Sequence, residues 1–243
     1  KGKFWIPYSA EDMLGLIYPL LGKGKTGDAQ MKFFKENLFN PFSKAMDSLA
    51  AARVQLMADF EALKKNLDVP KDLQKEAFDG FTNEQVVRMY IWDKQGMDVP
   101  GISKRDLADA NKIVEGNEKL KTFAEELIKI NKEDGYPAPA DSWLAGTITT
   151  DLIEGLNTVK RPKYLQQWQE NVDAIFSKEN LNKLEAAYGS KYREALENML
   201  TRMKTGKNRI QGSNRISDRL LNWINGSVGA IMFFNMRSAV LQT

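Results

Sequence analysis

The stretch TNEQVVRMYIWDKQG, residues 82–96, decides the fold class. Its opening Thr82-Asn-Glu-Gln85 is a capping box, in which the threonine side chain and the glutamine three positions on satisfy each other's orphan backbone N–H groups at a helix start. Val86, Val87, Tyr90, Ile91 and Trp92 then recur at helical spacing, and Gly96 ends the segment.

The same start and stop signals recur on both sides of this stretch. Upstream, Ser9-Ala-Glu-Asp12 is a capping box ahead of Leu14, Ile17, Leu20 and Leu21. Residues 22–27 read as a loop, Asp28 as the cap of a helix carrying Met31, Phe34, Leu38 and Phe39, and Asn40-Pro41 as punctuation. A long helix follows, through Met46, Val54, Leu56, Phe60 and Leu63, with alanines at 50, 51, 52 and 58 that favour helix. Pro70 opens a short helix expected to end by Gly80. Downstream, Ser103 and Asn117 cap two more helices, ending at Gly116 and Gly135. Further helices are expected over 162–176, from the Ser177 cap to Tyr188, and over 190–204. Residues 206–214 read as a polar loop ahead of a last segment, 215–241. The expected fold is therefore all-α: an irregular multi-helix bundle of about ten helices with no significant sheet.

The stretch YPAPADS, residues 136–142, is the clearest break, because two prolines in four residues are incompatible with a helix interior. It divides the chain into an expected N-terminal helical subdomain, 1–135, and a more basic C-terminal one, 142–243. WLAGTITT, residues 143–150, is the one plausible strand. A single strand makes no sheet, so an irregular buried segment is the stronger expectation. No internal repeat, heptad array or low-complexity tract is visible. The chain opens without an initiator methionine or an apolar leader core and stops within an apolar stretch, so both subdomains are expected to be excised from a longer polypeptide.

Composition closes several classes of chemistry. The 243 residues include no histidine and no cysteine. Histidine is the side chain that titrates near neutrality unaided, so the usual general base is missing. So are the histidine-paired nucleophiles, disulfides and structural zinc sites. The balance favours a non-enzymatic role and implies no cofactor and no resident metal. The net charge of +3 is unevenly spread: residues 157–243 hold 14 Lys and Arg against 7 Asp and Glu.

Four features were weighed as sites. GKGKT, residues 22–26, has the tail of a phosphate-binding loop, but the position of that motif's first glycine is Pro19, and a solvated loop is the better reading. The carboxylate pairs Asp151/Glu154, Glu194/Glu197 and Glu115/Glu118 have spacing suited to Mg²⁺, with Asp151/Glu154 the most interesting because it follows Thr147, Thr149 and Thr150. Arg202, Lys204, Lys207, Arg209, Arg215 and Arg219 form a basic cluster able to meet phosphates, and Lys160, Arg161 and Lys163 with Tyr164 and Trp168 form a smaller basic and aromatic group suited to single strands. Finally, residues 220–241 are the most apolar part of the chain. Asn222, Asn225, Asn235 and Arg237 interrupt them too often for a membrane span. Trp223, Ile224, Val228, Ile231, Met232 and Phe233 fall on one helical face expected in the core. Phe234, Val240 and Leu241 fall off it and are expected to form an interaction surface.

WINGSVGAIMFFNMRSAVLQT, within residues 213–243, closely resembles a segment of very large virion-associated proteins of tailed bacteriophages, the large polyvalent proteins. LGKGKTGD (21–28), PGISKRD (100–106), SWLAG (142–146) and YGSKYREALEN (188–198) are similar to upstream parts of the same proteins. The resemblance implies a module of a packaged or ejected protein, located in the virion, whose partners are other virion proteins or the rest of its own polypeptide. It implies no catalytic residue. The rival expectation is an enzyme or accessory domain acting on DNA or RNA, with Asp151/Glu154 and the basic loop as its active surface. A membrane-active role for residues 220–241 is the weakest reading.

Overall fold

A computed structural model describes residues 8–130 and 135–206, and these are α-helical almost throughout. Ten helices of eight or more residues carry the architecture: α1 (Tyr8–Ile17), α2 (Gly24–Phe34), α3 (Asn40–Asn66), α5 (Asn83–Lys94), α6 (Lys104–Glu115), α7 (Glu118–Ile130), α8 (Ile148–Gly155), α10 (Gln166–Ile175), α11 (Lys178–Tyr188) and α12 (Ser190–Thr205). Single turns α4 (Pro70–Leu73) and α9 (Arg161–Tyr164) complete the set.

The chain divides into two compact units. One is continuous, Asp47–Lys163; the other joins the chain before residue 47 to the chain after residue 163. The central unit is organised around α5. Every residue of α5 from Val86 to Trp92 is buried, as expected of a helix enclosed on all sides by α6, α7 and its other neighbours. Both bonds of the expected capping box are present, between Thr82 and Gln85. Residues 136–142, expected as a domain boundary, instead run through this unit, because Tyr136 and Trp143 belong to its core. The 143–150 stretch forms no strand: a 3₁₀ turn (Trp143–Ala145) leads into α8, which is capped by a Thr147/Thr150 box.

The helix expected from Pro70 to Gly80 lasts a single turn. A two-stranded antiparallel hairpin, β1 (Glu76–Phe78) and β2 (Phe81–Thr82), replaces the rest. The cause is Asp79-Gly80, both at positive φ (45° and 81°), the conformation an Asp-Gly hairpin turn requires.

In the discontinuous unit, Met13, Ile17, Leu38, Phe42, Trp168 and Leu196 are buried in one apolar cluster. α2 starts at Gly24 and not at Asp28. The backbone closes tightly there: a Cβ on Gly27 would lie 2.1 Å from the carbonyl oxygen of Gly22. Asn40-Pro41 does not end the helix either. A π-helical turn (Lys35–Phe39) carries the chain from α2 into α3. Proline has no N–H to offer the carbonyl four residues back, at Asn37. Asn171 of α10 takes that role, donating from Nδ2 to the Asn37 oxygen at 2.8 Å. A second π-helical turn (Leu156–Lys160) likewise stands just before Pro162 and joins α8 to α9.

Candidate functional site

The feature that chemistry would notice first is a buried arginine. Arg88 lies in the middle of α5 with 0% of its side chain exposed. A guanidinium carries five N–H donors and cannot discard its charge, so burial demands partners. Nε and Nη2 form a bidentate pair with the two carboxylate oxygens of Asp151, at 2.6 and 2.8 Å. Nη1 donates to the backbone oxygens of Trp143 and Gly146, at 2.9 and 2.8 Å. The guanidinium carbon sits 5.0 Å from the Trp92 ring centroid and 5.3 Å from that of Trp143, within cation–π range.

Asp151 is in the first turn of α8, where a negative charge is favoured by the helix N-terminus. It also accepts from the Tyr136 hydroxyl at 2.6 Å. Burial first, and then the charge of Asp151, push the Tyr136 hydroxyl well above its ordinary pKa. Around this pair, the irregular strap of residues 135–147 is tied down by its neighbours. Gln95 Oε1 accepts the Tyr136 N–H at 3.0 Å, Trp92 Nε1 donates to the Pro137 oxygen at 2.8 Å, and Trp143 Nε1 donates to the Pro100 oxygen at 2.9 Å. Gly146 has no room for a side chain: a Cβ would stand 2.8 Å from Thr150 Oγ1 and 3.2 Å from Arg88 Nη2.

This geometry answers the expectation for Asp151 and Glu154. Both Asp151 oxygens are held by Arg88, with Tyr136 as a third donor, so the carboxylate is neither an available general base nor an open cation ligand. Its role is to pair the buried arginine. Among the other pairs, Glu197 is bound by Arg193 at 3.0 Å and Glu115 by Lys94 at 2.9 Å. Among the described residues, no group of three or more acidic side chains is arranged to hold a metal ion.

The smaller basic and aromatic group is only partly at the surface: Lys163 and Tyr164 are exposed, whereas Trp168 and Arg161 are not. Trp168 is 1% exposed, in the core of the discontinuous unit, with its ring 5.5 Å from that of Phe42. Arg161 is also buried, and desolvation lowers its pKa. Within the larger basic cluster, Arg202 lies 3.7 Å from Asp12 and Lys204 is exposed near the end of α12. Lys207, Arg209, Arg215 and Arg219 lie outside the described residues, as do Trp223 to Phe233 and the expected interaction residues Phe234, Val240 and Leu241. The GKGKT stretch is the start of α2, with Lys23 as its N-cap.

The shallow cavities lined by described residues include one in each unit. One, of about 330 Å³ in the central unit, has Phe60, Lys64, Leu73, Glu84, Thr147 and Thr149 on its walls. Glu84 there already accepts the Ile148 N–H at 2.9 Å. The other, of about 350 Å³ in the discontinuous unit, is lined by Trp168, Val172, Phe176, Leu200 and Lys204 among others. Neither gathers a nucleophile and a base. No described helix is long and apolar enough to cross a membrane.

Arg88 was missed in the sequence because a lone cation within a helical pattern reads as surface. The signal that would have found it is its place: it is the single charged residue in the run from Val86 to Trp92, whose apolar members cover every side of the helix. Comparison with family models, with curated proteins and with solved structures found no match for the chain.

Proposed function

We propose that the chain is a non-enzymatic helical structural or interaction module of a large virion-associated protein of tailed bacteriophages. The observation that carries the non-enzymatic half is the closed Arg88–Asp151–Tyr136 cluster: the most deeply placed charged groups bind one another and leave no reactive atom presented. The virion half rests on the resemblance of residues 213–243 and the upstream stretches to packaged phage proteins. The rival, an enzyme acting on nucleic acid, is weakened by the engagement of Asp151, the carboxylate it relied on. Its basic residues Arg202, 3.7 Å from Asp12, and Lys204 lie near a helix C-terminus, where cations are favoured in any case.

The test is mass spectrometry of gradient-purified particles from the phage that encodes the chain. Peptides covering residues 8–206 should be present at a fixed copy number after nuclease treatment and a high-salt wash. Their absence from particles, together with abundance in infected-cell lysate, overturns the virion assignment.

A further inference from the structure

We infer that the outward face of α3 is a self-association surface, which pairs antiparallel with the same helix of a second copy of this chain. Within the central unit, α3 turns Leu56 and Phe60 into the core, with Leu49, Ala52 and Leu63 packed against it. The opposite face carries Asp47, Ala51, Val54, Ala58, Glu61 and Lys65, all exposed and separated by steps of four, three, four, three and four. That is the spacing of a helix-pairing seam. With about 100° of rotation per residue, its midline lies directly opposite Leu56. The seam lacks the large apolar residues of a heptad array: three of its six positions are charged and two are alanine.

Val54, at its centre, is 71% exposed, more than any other large hydrophobic side chain among the described residues. The side chains of Asp47 and Lys65, at its two ends, make no ion pair or hydrogen bond among the described residues. The argument for the occupant is charge complementarity. A two-fold axis facing the point opposite Leu56 brings together residues equidistant from it. Asp47 then meets the partner's Lys65 and Lys65 meets the partner's Asp47, so two opposite-charge contacts close the two ends. Val54 meets the partner's Ala58, and the alanines let the backbones approach closely. Glu61, already held by Lys64 at 2.6 Å, stands across from the partner's Ala51. A parallel pairing does the reverse and sets Asp47 against the partner's Asp47 and Lys65 against the partner's Lys65. The pattern is therefore complementary to itself only when inverted, which is the geometry of an isologous dimer.

The seam spans about 27 Å along the helix, and a single helix pair of that length buries less than the roughly 1,200 Å² of a standard stable interface. The association is therefore expected to be weak. It becomes significant where many copies are held together. The inference does not depend on the virion assignment, and the experiment below uses the chain alone.

Sedimentation equilibrium of the full chain, at concentrations from about 1 μM to about 1 mM, should show a monomer–dimer equilibrium that weakens with salt. Asp47→Lys and Lys65→Asp each place like charges at both ends of the seam and should each weaken dimerisation by roughly tenfold. The double variant D47K/K65D exchanges the two charges and should restore it. That rescue separates the α3 face from any other self-association of the chain. A monomer at every concentration overturns the inference. So does a dimer that ignores both single substitutions, or two weakening substitutions whose combination fails to restore binding.

Discussion

The two units of this chain solve burial differently. The central unit encloses a charge and surrounds it with partners: Arg88 has four hydrogen bonds, and the indole N–H groups of Trp92 and Trp143 both reach backbone oxygens. The discontinuous unit encloses an apolar cluster. Among the described residues, three buried side-chain atoms there, Trp168 Nε1, Gln169 Oε1 and Asn198 Oδ1, have no hydrogen-bond partner, against Asn111 Oδ1 in the central unit. Buried polar groups without partners are costly, whereas satisfied networks select one arrangement of the chain. The strap of residues 135–147 shows what the first solution achieves: a proline-containing, non-helical segment is made part of a core. The second solution relies on packing, with a few bonds to backbone oxygens: Asn171 serves Asn37 at the place where proline removed a helical bond, and the Tyr188 and Tyr192 hydroxyls donate to the Pro19 and Leu16 oxygens.

The largest effect should come from breaking the charge pair on one side only. Arg88→Met leaves the Asp151 carboxylate facing a low-dielectric interior, and we expect a loss of about 3–5 kcal/mol. Hydrogen exchange should rise across α5 and α8 together, while the discontinuous unit is protected as before. Arg88→Lys should rescue little, because an ammonium cannot match the bidentate geometry. If R88M costs less than about 1 kcal/mol, the cluster is not what fixes the strap.

Tyr136 sharpens the same comparison. Its hydroxyl donates to an ionised carboxylate, so Tyr136→Phe should cost about 1.5–3 kcal/mol near neutral pH. The folded pKa lies above the ordinary value of 10.0, which the unfolded chain should show. The unfolded chain thus releases this proton first. The contribution is fully present below about pH 10 and is lost as pH rises towards the folded pKa. Unfolding free energy of the natural chain should fall more steeply above pH 10 than that of Y136F. Parallel curves would mean that Tyr136 does not carry the alkaline transition.

In the discontinuous unit, Asn171→Ala should strand the Asn37 carbonyl and cost about 1–3 kcal/mol. Restoring an N–H with Pro41→Ala lets the helix satisfy that oxygen itself, so N171A should cost distinctly less in the P41A background. Equal costs in both backgrounds would remove the proline from the explanation.

Most of the fold was legible in local chemistry, and the misreadings share one cause. Capping at Thr82, Ser103 and Ser177 depends on neighbours within three residues, and all three caps are present. Pro41 reads as a stop because the donor that compensates for it, Asn171, lies 134 residues beyond the Asn37 carbonyl it serves. Residues 136–142 read as a boundary because the partners that hold them, Trp92 and Gln95, are on α5 and its C-cap. The hairpin is different: Asp79-Gly80 was a local signal, overlooked because the flanking strands are only three and two residues long. For the candidate site, Asp151 was picked out correctly as unusual, but its partner was not. A buried ion pair between residues 63 positions apart leaves no periodic trace in either segment.

The smallest expected effect separates the tryptophans of the two cores. Trp92→Phe removes ring area, deletes an indole N–H and leaves the Pro137 oxygen without its donor; it also removes one aromatic face from Arg88. Trp168→Phe removes the same ring area but deletes an N–H that has no partner, so part of the packing loss is offset by relief of an unmet donor. Both substitutions lose apolar contact, and the comparison isolates the polar difference. W92F should destabilise its unit by about 1–2 kcal/mol more than W168F does its own. Chemical denaturation followed by hydrogen exchange can assign each loss to its unit without assuming that the whole chain unfolds in one step. If the two losses are equal, a buried water serves the Trp168 indole, and the contrast between the two tryptophans disappears.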